Sequence, residues 1–212
     1  MKILKNFAVF EGIDGSGTTT QIRKLKDYFR LNRPHLSLPP LYTTFEPTNS
    51  SIGTLIRRAL RGEIDLAPKT AALLFAADRN EHIYGREGIS ERCGRRELVV
   101  SDRYLPSSLV YQGITCGEEF PALLNRDFPA PELLLFFDID PEIAQERLSG
   151  RKHRDIFEYL NFQVQVRERY KALLPDFLSE GVIVQTIDAS RTPEEVGEEV
   201  WQAIKKMPIF ER

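Results

Sequence analysis

The sequence predicts an α/β fold: a five-stranded parallel sheet covered by helices on both faces. Strand-length runs recur at 7–10, 41–45, 97–101, 133–137 and 182–187. Segments of helical periodicity separate them, which is the alternation expected of βαβ units. The runs at 7–10 and 133–137 are continuously apolar, as expected of strands buried on both faces.

Each element follows from local signals. The run Phe7-Ala8-Val9-Phe10 leads into Gly12, Gly15 and Gly17. It reads as a buried strand, a glycine-rich turn and a helix start. Ile22, Leu25 and Phe29 recur at helical spacing over 18–31, Pro34 stops that helix, and Pro39-Pro40 marks a loop. Pro47 breaks the strand at 41–45. Ser50 or Ser51 caps a helix carrying Ile52, Leu55, Ile56 and Leu60, and Gly62 ends it. The stretch 67–84 is rich in alanine and apolar around much of its circumference, so it reads as a largely buried helix. The strand at 97–101 runs into Asp102-Arg103-Tyr104, and the strand at 133–137 ends in Asp138. Pro141 begins a helix, and the basic loop Arg151-Lys152-His153-Arg154 interrupts it. Ile156, Leu160, Tyr170, Leu173, Leu174 and Phe177 mark a long helix beyond. Thr192-Pro193-Glu194-Glu195 starts the last helix, with Val196, Val200 and Ile204 on its inner face.

Composition bounds the function. The 212 residues suit one domain of ordinary size, with a formal charge of −2 that gives no basic field for nucleic acid. Cys93 and Cys116 fit neither a disulfide framework nor a four-ligand zinc site, and read as free thiols of a reducing compartment. The six residues before the first strand are too short for a signal peptide, and no apolar run reaches membrane-span length. The expected setting is the cytoplasm, without nucleic-acid or membrane partners. His35, His82 and His153 are scattered and form no metal constellation. Trp201 reads as a packing residue.

The turn from Gly12 to Thr19 has the spacing of a phosphate-binding P-loop, with Thr19 at the magnesium-binding hydroxyl and Thr18 at the lysine position. Backbone N–H groups and the following helix N-terminus would cradle a phosphate there. In a parallel sheet, ligands bind at the carboxyl ends of the strands. The P-loop, Glu46, Asp102-Arg103 and Asp138 all stand at those ends. Asp102 reads either as a holder of magnesium or its water shell, or as a helix cap. Arg103 suits an anion because its planar fork matches phosphate. Arg57 either joins a solvated face with Arg58 and Arg61 or reaches a second phosphate. Phe75 and Arg79 share one helix face, either as a stacking ring and a base-reading arginine or as a core ring and an ion pair. The basic loop is either a solvated turn or a lid that closes over a transferring phosphate.

The stretches Phe10-Glu11-Gly12-Ile13-Asp14-Gly15-Ser16-Gly17, Glu46-Pro47-Thr48, Ile52-Gly53-Thr54-Leu55-Ile56-Arg57, Leu74-Phe75-Ala76-Ala77-Asp78-Arg79 and 102–112 resemble, in order and spacing, the motif set of thymidylate kinases. With Arg154-Asp155-Ile156-Phe157-Glu158 the resemblance spans nearly the whole chain. It implies one P-loop NTPase-type domain over 1–212 with a short lid at about 148–156. It also implies transfer of the γ-phosphate of ATP to dTMP, with Mg²⁺, giving dTDP and ADP in dTTP synthesis. By position it implies that Gly12, Ile13, Asp14, Gly15, Ser16, Gly17, Thr18 and Thr19 hold ATP. Thr19, Asp14 and Asp102 would hold the metal. Phe75 would stack on thymine and Arg79 would bond its carbonyl. Arg57 and Arg103 would hold the dTMP phosphate. Glu46, Ser107, Ser108 and Gln112 would complete the acceptor pocket, and Tyr111 would crowd the 2′ position. Asp14, Arg103, Arg151 and Arg154 would be catalytic. The family is usually homodimeric. Two positions depart from it: Thr18 replaces the P-loop lysine, and Phe45 stands where many members have arginine. Lys152, Arg151 or Arg154 of the lid would fill the gap at Thr18. An alternative is a nucleotide-binding protein whose kinase activity is lost or weak because of Thr18. A second is a kinase for another nucleotide.

Overall fold

The structure, a computed structural model, describes residues 1–33, 36–149 and 160–211. Pro34, His35, the basic residues Arg151, Lys152, His153 and Arg154, and Ile156 lie outside the described residues. In chain order the elements are β1 (Ile3–Gly12), α1 (Thr18–Asn32), β2 (Leu41–Phe45), α2 (Ser51–Leu60), α3 (Pro68–Tyr84), α4 (Ile89–Gly94), β3 (Leu98–Asp102), α5 (Leu105–Cys116), α6 (Glu119–Asn125), β4 (Ala130–Asp138), α7 (Pro141–Leu148), α8 (Leu160–Ser179), β5 (Ile183–Asp188) and α9 (Pro193–Ile204).

The five strands are parallel, in the order β2-β3-β1-β4-β5. β1 is central, and its residues Phe7 to Phe10 are fully buried. Phe10 pairs with Asp102 of β3, and Gly12 with Phe137 of β4. This register sets the P-loop beside Asp102-Arg103. Glu11 pairs with Phe136, whose ring meets Tyr170 of α8, while Phe10 meets Phe137 on the opposite face. α1 and α9 pack together through Tyr28, Phe29 and Trp201, so Trp201 is a packing residue.

The predicted starts hold where a side chain caps the helix. Ser50 accepts from the N–H of Gly53, Asp140 accepts from Glu142, and Thr192 with Glu195 forms a reciprocal capping box. Sequence reasoning did not place α4, α5 or α6. α3 corrects the expectation of a largely buried helix: Ala72, Asp78, Arg79 and Ile83 are buried, but Leu73 is 50% exposed. α3 packs on α2, α4, α5 and α6 rather than lying flat on the sheet, so one side stays open. Its buried face carries charge with partners. Asp78 accepts from the Thr48 N–H at 2.7 Å, the Thr48 hydroxyl at 2.6 Å and the Ser50 hydroxyl at 2.8 Å, which fixes the turn between β2 and α2.

That turn also explains Gly53. A Cβ there would stand 2.0 Å from the Thr48 carbonyl oxygen, far inside contact distance. Gly53→Ala is expected to lower stability by about 1–3 kcal/mol by overpacking against backbone. Gly94→Ala, at a helical site with nothing nearby, is expected to cost nothing or to stabilise slightly. Urea denaturation of the two variants checks this, and equal midpoints would refute it.

Candidate functional site

Among the described residues, two adjoining clefts stand at the carboxyl edge of the sheet beside the P-loop. The larger, about 720 Å³, runs along the P-loop from Ile13 to Gln21 and on to Arg147, Ala189 and Arg191. The smaller, about 200 Å³, lies between α2, α3 and α5. Asp14, Glu46 and Arg103 line both, so the clefts meet at these three residues.

The P-loop geometry follows from its glycines and from α1. Gly15 has φ +86° and packs where a Cβ would be 2.5 Å from the Ala144 carbonyl oxygen of α7, so no larger side chain fits. α1 starts at Thr18 with no side-chain cap, which leaves its first N–H groups directed at the cleft. Thr18 and Thr19 stand there as predicted. The Thr19 hydroxyl donates to Asp102 Oδ2 at 2.6 Å. Asp102 is therefore paired with the P-loop, and the residue before α5 is Tyr104, which decides against the helix-cap reading of Asp102. Among the described residues no three His, Cys, Asp or Glu side chains cluster as a metal site. Thr19 and Asp102 nevertheless offer adjacent hard oxygen ligands facing the cleft, which suits Mg²⁺ held together with nucleotide phosphates.

Arg103 is at the junction. Its backbone adopts φ 67°, a left-handed conformation that few non-glycine residues hold. Three bonds fix it: the Arg103 N–H donates to Phe10 O at 2.9 Å, the Ser101 hydroxyl donates to Arg103 O at 2.7 Å, and the Tyr104 N–H donates to Glu11 Oε1 at 2.9 Å. The guanidinium donates to the Asp14 carboxylate, to Gly12 O at 3.0 Å and to the Ser107 hydroxyl at 3.3 Å, and it lies over the Tyr111 ring. Gln163 of α8 clamps Asp14 from the other side. The Asp14 N–H donates to Gln163 Oε1 at 3.1 Å, and Gln163 Nε2 donates to Asp14 Oδ2 at 3.1 Å.

Beneath this lies Glu11, with no exposed surface. It accepts from the Ser107 hydroxyl at 2.6 Å, the Tyr170 hydroxyl at 2.8 Å and the Tyr104 N–H. Burial pushes its carboxyl up to about 7 from 4.5, partly offset by the Arg103 charge and the donated hydrogen bonds.

The smaller cleft brings together Glu46, Arg57, Phe75, Arg79, Arg103, Ser107, Ser108, Tyr111 and Gln112, all of the predicted acceptor residues. Arg57 donates to the carbonyls of Pro47 and Thr48 and lies over the Phe45 ring, so it belongs to the turn and the cleft rather than to a solvated face. Three buried polar atoms in this cleft have no hydrogen-bond partner: Arg79 Nε, Ser108 Oγ and Gln112 Oε1. Buried polar groups are normally satisfied. Their convergence marks a place that a polar ligand completes.

Asp138, expected at the same edge, belongs to neither cleft. Arg167 binds it at 2.6 and 3.2 Å and Lys171 lies 3.4 Å away, because α8 crosses the end of β4 there. The predicted catalytic Arg151 and Arg154 lie outside the described residues. Sequence reasoning gave no role to Glu11, Gln163, Tyr170, Arg147, His82 or Asn125. Glu11 alone carried a signal, a carboxylate in a buried strand. The others sit on helices whose periodicity marks burial and not partners. Cys93 and Cys116 are free, and burial pushes the Cys93 thiol up to about 12, so it is inert.

The family described as thymidylate kinase matches residues 10–200. The chain is 42% identical to the probable thymidylate kinase of Pyrobaculum aerophilum over 206 residues, 96% of this chain and 98% of that protein. It is 42% identical to the putative thymidylate kinase of Treponema pallidum over 174 residues, 82% and 81% of the two chains. To the probable thymidylate kinase of Methanococcus aeolicus it is 38% identical over 208 residues, 96% of each.

The raised Glu11 carboxyl has a consequence for stability. Between pH 4.5 and about 7 the native protein holds a proton that the unfolded chain has released, so this group's contribution falls as pH rises through that window. Glu11→Gln lacks the titration. Its stability relative to the parent is expected to improve by on the order of 3 kcal/mol from pH 4.5 to pH 8. Urea denaturation at the two pH values measures this, and an identical difference at both would contradict it.

Proposed function

This chain belongs to the thymidylate kinase family, and from that premise we propose that ATP occupies the larger cleft and dTMP the smaller one, with the phosphoryl group passing where they meet. The enzyme phosphorylates dTMP. The observation that carries the placement is the shared wall: Asp14, Glu46 and Arg103 line both clefts, and two substrates must meet at such a wall for direct transfer.

In this reading the residues act mainly by position and charge. Backbone from Gly12 to Thr19 and the N-terminus of α1 hold the donor phosphates. The Arg147 guanidinium, fixed by the Ala189 carbonyl at 3.0 Å and the Ser190 carbonyl at 3.4 Å, offers a flat face for the donor base. Arg103 and Arg57 hold the acceptor phosphate. Asp14 and Gln163 keep Arg103 from swinging into the donor cleft. Phe75 stacks on the acceptor base and Tyr111 limits space beside the sugar. Thr19 and Asp102, with Asp14 nearby, would hold Mg²⁺, which when bound neutralises phosphate charge.

The unpartnered atoms match thymine. Arg79 Nε–H donates to a 4-carbonyl, and Gln112 Oε1 accepts from N3–H. Cytosine presents an amino group and a lone pair at those places and leaves both atoms unmatched. A kinase for a cytidine monophosphate is therefore disfavoured by the pocket. The reading of a binding protein without transfer finds no support in the relatives, which carry the enzyme's name.

At Thr18 the P-loop has no cation. Among the described residues, Arg103, Arg147 and Arg191 line the donor cleft, and each is engaged: by Asp14, by backbone carbonyls and by Glu199. We assign the missing charge to Arg151, Lys152 or Arg154 of the lid at about 148–156, within a single kinase unit. A cytoplasmic setting fits free thiols and the lack, among described residues, of a helix able to cross a membrane. Pairing of two copies fits Leu73 of α3 and Leu123 of α6, both half-exposed on helices that touch.

A coupled ADP-release assay with ATP, Mg²⁺ and a panel of monophosphates tests the reading. Turnover of dTMP is expected as the sequence stands, with dCMP disfavoured by about 10²-fold or more in kcat/KM. Turnover that appears only in Thr18→Lys would overturn the assignment of the charge to the lid.

A further inference from the structure

We propose that His82 is a positioning residue for base recognition: it fixes Glu46, and through Glu46 it fixes the Arg79 guanidinium so that Nε is presented to the acceptor base. The inference rests on the reading of the smaller cleft as the dTMP site, and it adds the residues that set its selectivity.

Arg79 is 1% exposed, in a site where a free guanidinium would be very costly. It is held on every side but one. Nη2 donates to Glu46 Oε2 at 2.6 Å, and Nη1 donates to Asn125 Oδ1. Asn125 is anchored in turn by donating to Pro121 O at 2.7 Å. The rings of Tyr104 and Phe128 lie 5.2 and 5.9 Å from the guanidinium carbon. Of its three nitrogens, Nε alone has no hydrogen-bond partner.

Glu46 is the pivot, 6% exposed on the wall between the clefts. One oxygen takes Arg79. The other faces His82 Nδ1 at 3.1 Å, and His82 Nε2 meets the Thr44 hydroxyl at 2.6 Å. A carboxylate partner requires a proton on Nδ1, so in the neutral ring Nε2 accepts from Thr44. The chain Thr44–His82–Glu46–Arg79–Asn125 thus joins β2, α3 and α6 and leaves one N–H of the arginine for a ligand. Without His82, one Glu46 oxygen loses its donor. The carboxylate can then rotate, and a second rotamer of Arg79 would offer an Nη group, which reads a 4-carbonyl less selectively. The His82 side chain is 9% exposed and does not line the cleft, so its effect passes through Glu46.

Two substitutions separate the links. His82→Asn keeps a donor near the Nδ1 position and so the bond to Glu46. His82→Gln keeps a group near Nε2 that reaches Thr44 and loses Glu46. His82→Gln is expected to raise the KM for dTMP about tenfold, to shrink the preference for dTMP over dCMP, and to leave the KM for ATP within about twofold. His82→Asn is expected to restore both dTMP values. The Arg79 Nε–H signal in ¹H–¹⁵N spectra of the nucleotide-free protein gives a readout without turnover. It is expected to match the parent in His82→Asn and to shift or broaden in His82→Gln. If His82→Gln leaves both the KM for dTMP and this signal unchanged, or raises both KM values alike, the proposal is overturned. If the parent protein does not phosphorylate dTMP, the substrate reading fails, while the Nε–H comparison still decides the role of His82.

Discussion

A carboxylate with no exposed surface, Glu11, sits at the end of the central strand and gathers donors from three elements: the Tyr104 N–H before α5, the Ser107 hydroxyl on α5 and the Tyr170 hydroxyl on α8. Burying a charge-bearing group is costly unless each oxygen is satisfied, so this arrangement tolerates little slack. It ties the helices on one face of the sheet to the strand that opens the P-loop. It also sets the left-handed Arg103, whose guanidinium touches the Ser107 oxygen that Glu11 holds. The position of the charged group between the two clefts is thus fixed by bonds that no ligand supplies.

The same principle recurs around the smaller cleft. Asp78 pins the turn after β2, Arg57 closes that turn by donating to its carbonyls, and Glu46 with Asn125 brackets Arg79. Among the described residues, Arg57, Arg79 and Arg103 are each held by protein groups, and Arg79 Nε is left open toward the cleft. A site built in this way is complete in shape before its ligand arrives, and the ordering cost is met during folding rather than binding. The larger cleft, proposed as the donor side, differs. Its loop presents backbone N–H groups and carries Thr18 at the lysine position, so under the proposed reading the charge for transfer comes from elsewhere.

The sheet and its strand ends were legible in sequence because the signals there are local. Continuous apolar runs marked the buried strands, Ser50, Pro141 and Thr192 marked helix starts, and the structure caps those helices with Ser50, Asp140 and Thr192. The motif residues of both clefts assembled for the same reason, since each stands just past a strand or on one helix face. The missing pieces depend on contacts between distant segments. Gln163 on α8 reaches Asp14, a separation of 149 positions, and Tyr170 reaches Glu11 across 159. A periodic pattern reports that such residues face inward and says nothing of what they meet. α3 misled for a related reason: its alanines imply burial, but its inner face is used for charged partners and its outer face stays open. Asp138 had the right place on β4 and the wrong neighbour, because the path of α8 cannot be read from the strand.

The central claim is that the acceptor site is preformed and selects its base without help from the donor. Calorimetric titration of dTMP, and separately of dCMP, into the protein free of ATP and metal tests it directly. The account predicts that dTMP binds with one site per chain, and that dCMP binds at least about tenfold more weakly. Binding of dTMP that appears only after an ATP analogue is added, or equal binding of the two nucleotides, would contradict it.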